Sequence, residues 1–305
     1  MPLTVWRIFD GKIGHNLQSH GLSLAISRLK HCEILDFQTP PLSVTISGLL
    51  SRKFPPGDDL PPPDFIIGTG HQTHLPVICA KLARGGISIV LMNPSLPYSW
   101  FDVCLIPEHD KPRHRKNIIR TVGALTTIHP TLKKKYDQGL LLIGGPSKHF
   151  SWDEKKLVEK IKNIAIKTPI NWILTDSPRT PISVRKLLED INLDNLKYIP
   201  FSQTSRKWLE NQLLTCSTIW VTEESISMVS EALSSGAAVG LLPMYARHKS
   251  RVYRAIKDFC DSNLATTYKA WEAGDPVLPP KNSLNESERC ARILLQRFVS
   301  QNNPL

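Results

Sequence analysis

No two cysteines of this chain stand close enough to make a paired-ligand motif. The six (Cys32, Cys79, Cys104, Cys216, Cys260 and Cys290) are scattered, the nearest two 25 residues apart. That spacing excludes a zinc ribbon or a C-x-x-C dithiol. Cys79 lies within the apolar run Leu75 to Ala83 and Cys104 within Val103 to Ile106, the setting of buried, reduced thiols. Long apolar runs are missing too: none approaches the roughly 18 residues of a membrane span. Met1 to Ile8 is too short and polar for an export signal, so a cytoplasmic location is expected. Aromatic residues are only 7% and do not interleave with the basic clusters, which argues against nucleic acid as a partner. The chain has no G-x-x-x-x-G-K-[ST] loop, no D-x-D and no Asp, Glu and His cluster at ligand spacing. Neither a metal nor another cofactor is expected.

Charge of one sign is in excess. The formal net charge is +11, with Lys111, Arg113, Arg115, Lys116 and Arg120 crowding one segment and Lys133 to Lys135 another. Such clusters are either a solvated face or a surface for anionic partners, among them lipid headgroups and phosphorylated substrates. With 305 residues, 41% hydrophobic and 21% charged, two globular domains are expected.

Short apolar runs alternate with segments of helical period. Leu3 to Phe9, Glu33 to Phe37, Phe65 to Gly68, Ile87 to Leu91, Val103 to Ile106 and Ile118 to Thr121 read as strands. Helices are predicted to about Lys30 and from His74 to Arg84. Gln38 to Pro63 carries seven prolines and reads as a loop around an apolar insert, Val44 to Leu50, either a lid or a membrane-touching segment. A second series follows the polar stretch Thr126 to Gln138: Gly139 to Ile143, Ile170 to Leu174, Tyr198 to Pro200, Ile219 to Val221 and Val239 to Leu242. Ser151 and Glu154 read as a capping box ahead of Leu157, Ile161 and Ile164. Glu286 to Val299 is an amphipathic helix. The expected fold is α/β: two doubly wound, Rossmann-like domains, 1–128 and 129–305, with ligands where the C-terminal ends of the strands face a cleft.

Four strand-end turns carry the candidate chemistry. Asp10-Gly-Lys-Ile-Gly-His15 has glycines that let a ligand approach the backbone. Gly68-Thr-Gly-His-Gln-Thr73 begins like a dinucleotide fingerprint, but Thr73 replaces the third glycine and no acidic residue lies near position 90. An NAD site is therefore not expected. Gly144-Gly-Pro-Ser147 is an anion-compatible turn. In Thr222 to Pro243, a Ser-rich turn opens a helix with Ile226, Val229 and Leu233 on one face and Gly236 at its end. Its start is a site for an anion, and Glu231 lies two turns along, placed to reach a ribose.

Taken together, Asp10-Gly-Lys-x-Gly-x-x-x-Gln18, Gly68-x-Gly-His71-x-Thr-His74, Pro107-x-His-Asp110, Gly144-Gly-Pro-Ser-Lys148 and Val221-Thr-x-x-Ser-x-Ser-Met-Val-Ser-Glu231-Ala resemble the mitochondrial-fission "Elongated Mitochondria" family, from Asp10 to about Pro243. More distantly, Gly144-Gly-x-Ser and Ser230-Glu231-Ala-x-x-x-Gly236 resemble turns of the peptidoglycan GlcNAc transferase, as does Asp10 to His15. The resemblance implies the two-domain GT-B fold and metal-independent transfer of a sugar from a nucleotide diphosphate to an acceptor. On that reading Gly144, Gly145, Ser147, Lys148, Arg179, Ser225, Ser227 and Glu231 bind the donor. His15 and Asp10 supply the base, while Lys12, Gly14, Gly70 and His71 meet acceptor or phosphate. Pro178 stands where a second basic residue is expected, leaving Arg179 alone. From the net charge of +11, the Lys111 to Arg120 cluster and the insert Val44 to Leu50, the expected acceptor is lipid-linked, a lipopolysaccharide precursor for instance, met at the inner face of an anionic membrane. The competing reading is an interaction scaffold on a catalytically silent GT-B frame.

Overall fold

The computed structural model describes residues 2–299 apart from 132, 249 and 282. The chain forms two compact units. One holds the residues up to Thr127 together with those from Glu286 onward, and the other is Ile128–Asn285.

In the first unit the elements run β1 (Leu3–Phe9), α1 (Ile13–Leu29), β2 (Cys32–Gln38), α2 (Leu42–Ser51), β3 (Phe65–Thr69), α3 (His74–Arg84), β4 (Ile87–Leu91), β5 (Val103–Pro107) and β6 (Ile118–Thr121). All six strands are parallel, in the order β2-β1-β3-β4-β5-β6. Successive side chains point to opposite faces, so one strand feeds two cores. Val5, Ile67, Ile89 and Leu91 pack with Leu22, Ala25 and Ile26 of α1. Trp6, Ile8, Ile66 and Val90 pack with Val77 and Ala80 of α3. Burial on both faces is why these runs are continuously apolar.

The stretch read as an apolar insert in a loop, Val44 to Leu50, is instead part of helix α2. Pro41 precedes it, and Arg52 in the left-handed region (φ 54°) ends it. Gly48 lets α2 approach α3, because a Cβ there would stand 2.8 Å from Cys79 Sγ. Leu42, Ile46 and Leu50 recur every four residues and remain exposed, Leu50 by 84%.

The second unit runs β7 (Lys135–Leu142), β8 (Phe150–Ser151), α4 (Glu154–Lys167), β9 (Asn171–Thr175), α5 (Ile182–Glu189), β10 (Leu196–Tyr198), α6 (Arg206–Thr215), β11 (Cys216–Thr222), α7 (Ile226–Ser234), β12 (Ala238–Leu242), β13 (Tyr245–Ala246), α8 (Arg251–Asp261), β14 (Thr266–Thr267) and α9 (Tyr268–Glu272). Its parallel sheet has the order β10-β9-β7-β11-β12-β14. Counted from β7, that is the 3-2-1-4-5-6 order of the Rossmann fold. Asp153, not Ser151, caps α4, accepting the Lys156 N–H at 3.1 Å. Ser151 is unavailable because it lies in β8, paired with β13. All six cysteines are free, and five are buried.

The expected second domain, 129–305, does not keep its C-terminal helix. Helix α10 (Glu286–Phe298) packs on the first unit, where Cys290, Ala291 and Leu294 join the core that α1 covers. Polar contacts fix its start. The Glu286 carboxylate accepts the Val122 N–H at 2.9 Å, and the Ser287 hydroxyl donates to Thr126 O at 2.7 Å. An amphipathic pattern shows that a helix is covered on one side, but not by which unit.

Leu294 is fully buried, so Leu294→Ala should destabilise the first unit by about 2–5 kcal/mol. Chemical denaturation followed by tryptophan fluorescence measures it. A loss under about 1 kcal/mol would show that α10 is not part of that core.

Candidate active site

In a doubly wound sheet, connections leave to opposite faces at the point where strand order reverses, and a crevice opens beyond the strand ends. Those points lie between β1 and β3 in the first unit and between β7 and β11 in the second. The candidate residues gather at both.

In the first unit Asp10 follows β1, with its side chain wholly buried. Its Oδ1 accepts the Lys12 N–H at 3.1 Å, and its Oδ2 lies 2.9 Å from His15 Nδ1. A carboxylate facing Nδ1 selects the tautomer protonated there and leaves Nε2 as an acceptor. Burial pushes the Asp10 carboxyl up, but the His15 bond and the Lys12 amide outweigh it and hold it below its ordinary value. Gly70, at the end of the neighbouring strand β3, has φ 90°, and a Cβ there would stand 2.4 Å from His15 Nδ1. Only glycine tolerates both that backbone and that approach. Lys12 Nζ lies 3.9 Å from Asp10 Oδ2, while Gly14 sits exposed in the first turn of α1. His71 is exposed, whereas His74 is buried against Phe101 with Nδ1 3.1 Å from Ser95 Oγ. Burial, then the charge of His71, lowers the His74 pKa to about 4. His74 is therefore a neutral packing residue.

In the second unit the Gly144-Gly145 turn follows β7. Gly144 N–H donates to Thr222 Oγ1 at 2.9 Å and Gly145 N–H to Glu224 Oε1 at 3.1 Å. These amides, expected to face a diphosphate, are thus committed inward. The glycines serve close approach instead: a Cβ on Gly144 would meet Glu224 Oε1 at 1.7 Å, and one on Gly145 the Arg179 carbonyl at 2.3 Å. Arg179 Nη2 reaches Glu224 Oε1 at 3.4 Å with its side chain half-exposed. Arg185 is no second clamp for a phosphate, since Asp176 accepts its Nε–H at 2.6 Å. Ser147 Oγ accepts the His149 N–H at 3.2 Å, and Lys148 is exposed. Ser225 occupies the N-cap of α7 without a side-chain capping bond, and Ser227 lies half-buried in the first turn. That helix start, with no acidic residue in it, stays open to an anion. Glu231, two turns on, is 6% exposed. Arg206 donates to it twice, Nη2 to Oε1 at 2.6 Å and Nη1 to Oε2 at 3.2 Å.

Sequence reasoning missed Glu224 and Arg206. Glu224 is 5% exposed, its Oε2 has no hydrogen-bond partner among the described residues, and burial raises its pKa against the Thr222 and Arg179 contacts. Two adjacent carboxylates directly after an apolar strand were the available signal. Arg206 left none, because only the fold brings α6 beside α7. Among the described residues no three His, Cys, Asp or Glu side chains gather as metal ligands.

Burial also raises the pKa of the neighbouring Glu223 from 4.5 to about 7, opposed by the Met244 N–H and reinforced by the charge of Glu224. The folded state then holds this proton more tightly than the unfolded chain. The corresponding stability is present below pH 4.5 and lost as pH rises through about 7. Glu223→Gln should therefore gain stability over the native protein as pH rises across that window, by on the order of 2–3 kcal/mol at its upper end. Parallel denaturation curves that stay a constant distance apart over this window would contradict the assignment.

Several solved structures share the fold. The UDP-GlcNAc 2-epimerase of Methanocaldococcus jannaschii superposes with a TM-score of 0.59 at 12% identity, covering 96% of this chain and all of that one. The UDP-GlcNAc 2-epimerase of Neisseria meningitidis, solved with UDP-GlcNAc bound, gives 0.54 at 12% identity over 98% and 100%. The glycotransferase of kitacinnamycin gives 0.50 at 12% identity over 97% and 99%. At such identities the likeness establishes the GT-B-like fold alone. Uncharacterized protein RP120 of Rickettsia prowazekii is 27% identical, over 57% of this chain, and the match spans 63% of that relative's length. The family model described as mitochondrial fission ELM1 matches residues 13–298, nearly the whole chain, and the protein belongs to that family.

Proposed function

We propose that the protein transfers a sugar from a nucleotide-diphosphate donor to a hydroxyl of a cell-envelope acceptor. The observation that carries this reading is the Asp10–His15 pair: a buried carboxylate locks one imidazole nitrogen and leaves the other open. A scaffold has no use for that arrangement. His15 Nε2 takes the proton of the acceptor hydroxyl as its oxygen bonds to the anomeric carbon. The bond from that carbon to the diphosphate breaks, and the leaving group departs with the electron pair. Its charge is met by Arg179, Lys148 and the open start of α7 with Ser225 and Ser227. Glu231 accepts from a ribose hydroxyl. Arg206 occupies part of its capacity, but a carboxylate offers about four lone-pair sites. The likeness of the fold to enzymes solved with UDP or UDP-GlcNAc supports a nucleotide sugar as the ligand.

Glu231→Ala should weaken nucleotide binding about ten- to a hundredfold, the loss of one charge-assisted hydrogen bond of roughly 1.5–3 kcal/mol. Thermal shift and calorimetry with UDP, GDP, CMP and ADP read it. An affinity unchanged in the folded variant removes Glu231 from the site, and no binding of any nucleotide leaves the scaffold as the better account.

Catalysis on this reading needs no divalent metal, because arginine, lysine and backbone donors neutralise the leaving group. Transfer should persist in EDTA. Activity abolished by EDTA and restored by magnesium or manganese would overturn the proposal.

A lipid-linked acceptor and contact with the inner face of an anionic cytoplasmic membrane complete the reading. Their support is the net charge of +11 and the exposed stripe Leu42, Ile46 and Leu50 on α2. No helix among the described residues is long and apolar enough to cross a membrane. Sedimentation with anionic vesicles should occur at low salt, fade as salt rises and weaken strongly in Leu42→Glu/Leu50→Glu. No binding to acidic vesicles even at low salt would leave a soluble acceptor as the better reading.

A further inference from the structure

The basic segment after β5 does not spread over a convex face. It folds back along β6 and, with Arg289 of α10, lines a solvent-open cavity of about 430 Å³ in the first unit. Four guanidinium groups line it, those of Arg113, Arg115, Arg120 and Arg289, against a single carboxylate, Glu108. Arg289 is neutralised by Glu286 through Nε and Nη2. Among the described residues none of the other three pairs with a carboxylate. Arg120 instead donates to Pro112 O at 3.1 Å and to His114 Nε2 at 2.9 Å. A guanidinium can only donate, so this imidazole nitrogen accepts. Arg115 lies over the Tyr98 ring, 5.7 Å from its centroid.

Like charges held in one concavity repel, and Arg120 is held there by a backbone carbonyl and an imidazole rather than by a counter-charge. Asn117 anchors the loop by donating to Tyr98 O at 2.7 Å and Phe101 O at 3.0 Å. Such an arrangement suits an oxyanion that several planar forks can bind at once. Ile118 and Val122 supply an apolar part of the wall, and the space exceeds what a bare phosphate fills. We propose that this cavity is a binding site for a phosphate monoester, its dianionic head between Arg113, Arg115 and Arg120 and its carbon chain against Ile118 and Val122. The ligand is either a free small phosphate ester or a lipid whose headgroup is a terminal phosphate. The cavity lies wholly in the first unit and needs no nucleotide site.

Calorimetry with glycerol 3-phosphate tests the free ester, with glycerol as control. Flotation with phosphatidylcholine vesicles carrying phosphatidic acid, or phosphatidylglycerol at matched charge, tests the lipid. The variant is Arg113→Gln/Arg115→Gln, two exposed residues whose replacement leaves the core untouched. Binding of glycerol 3-phosphate that weakens at least about tenfold in the variant identifies a free ester. Flotation stronger with phosphatidic acid than with phosphatidylglycerol vesicles, the excess being lost in the variant, identifies a lipid headgroup. The proposal fails if neither probe binds, if the variant binds as the native protein does, or if glycerol 3-phosphate is ignored and both vesicle types are held alike. Nucleotide affinity measured on the same variant separates this result from the donor site, which lies in the other unit.

Discussion

Everything of chemical interest in this protein follows from one constraint: parallel strands cannot be joined by tight turns. Each connection must cross back over a face of the sheet, and where two neighbouring strands send their connections to opposite faces a crevice is left at their C-terminal ends. The first unit has that crevice between β1 and β3, and the second between β7 and β11. Asp10 and Gly70 come from the first pair of strand ends, Gly144 and Glu224 from the second.

At both places a carboxylate lies beneath a glycine. Asp10 is covered by Gly70, and Glu224 by the Gly144-Gly145 turn. Burying a carboxylate is costly unless its oxygens are bonded. The two sites meet that cost differently. Asp10 takes an imidazole and a backbone amide, stays ionised and fixes the tautomer of His15. Glu224 takes one amide, the Thr222 contact and a longer contact to Arg179, keeps an oxygen without a partner among the described residues and has its pKa raised. The first arrangement leaves the other ring nitrogen of His15 as an acceptor. In the second, an arginine rests on an internal carboxylate.

The sequence made most strands legible, because runs such as Phe65 to Gly68 and Val239 to Leu242 are buried on both faces and cannot carry polar residues. Its glycine turns were read as places where a ligand approaches the backbone, whereas Gly70, Gly144 and Gly145 let other parts of the protein come close. Helix α2 was hidden by the prolines around it, and its exposed leucines blur the amphipathic pattern. The home of α10 was hidden because a buried stripe names no partner. At the site, Asp10 and His15 were named through the family resemblance, but that their side chains meet was not legible, because it depends on how the turn after β1 folds. Nor was the inward turn of the Gly144 and Gly145 amides, because it depends on Thr222 and Glu224, which are distant in sequence. The Arg206–Glu231 pair was hidden for the same reason.

Amide hydrogen exchange with and without a nucleoside diphosphate tests the central claim most directly, that the second unit holds an anionic donor at the start of α7 rather than on the glycine turn. Added UDP should slow exchange in the first turn of α7, at Ile226 to Met228, and around Arg179. The amides of Gly144 and Gly145, already bonded within the protein, should change little. Protection confined to the glycine turn, or absent from the start of α7, would contradict it.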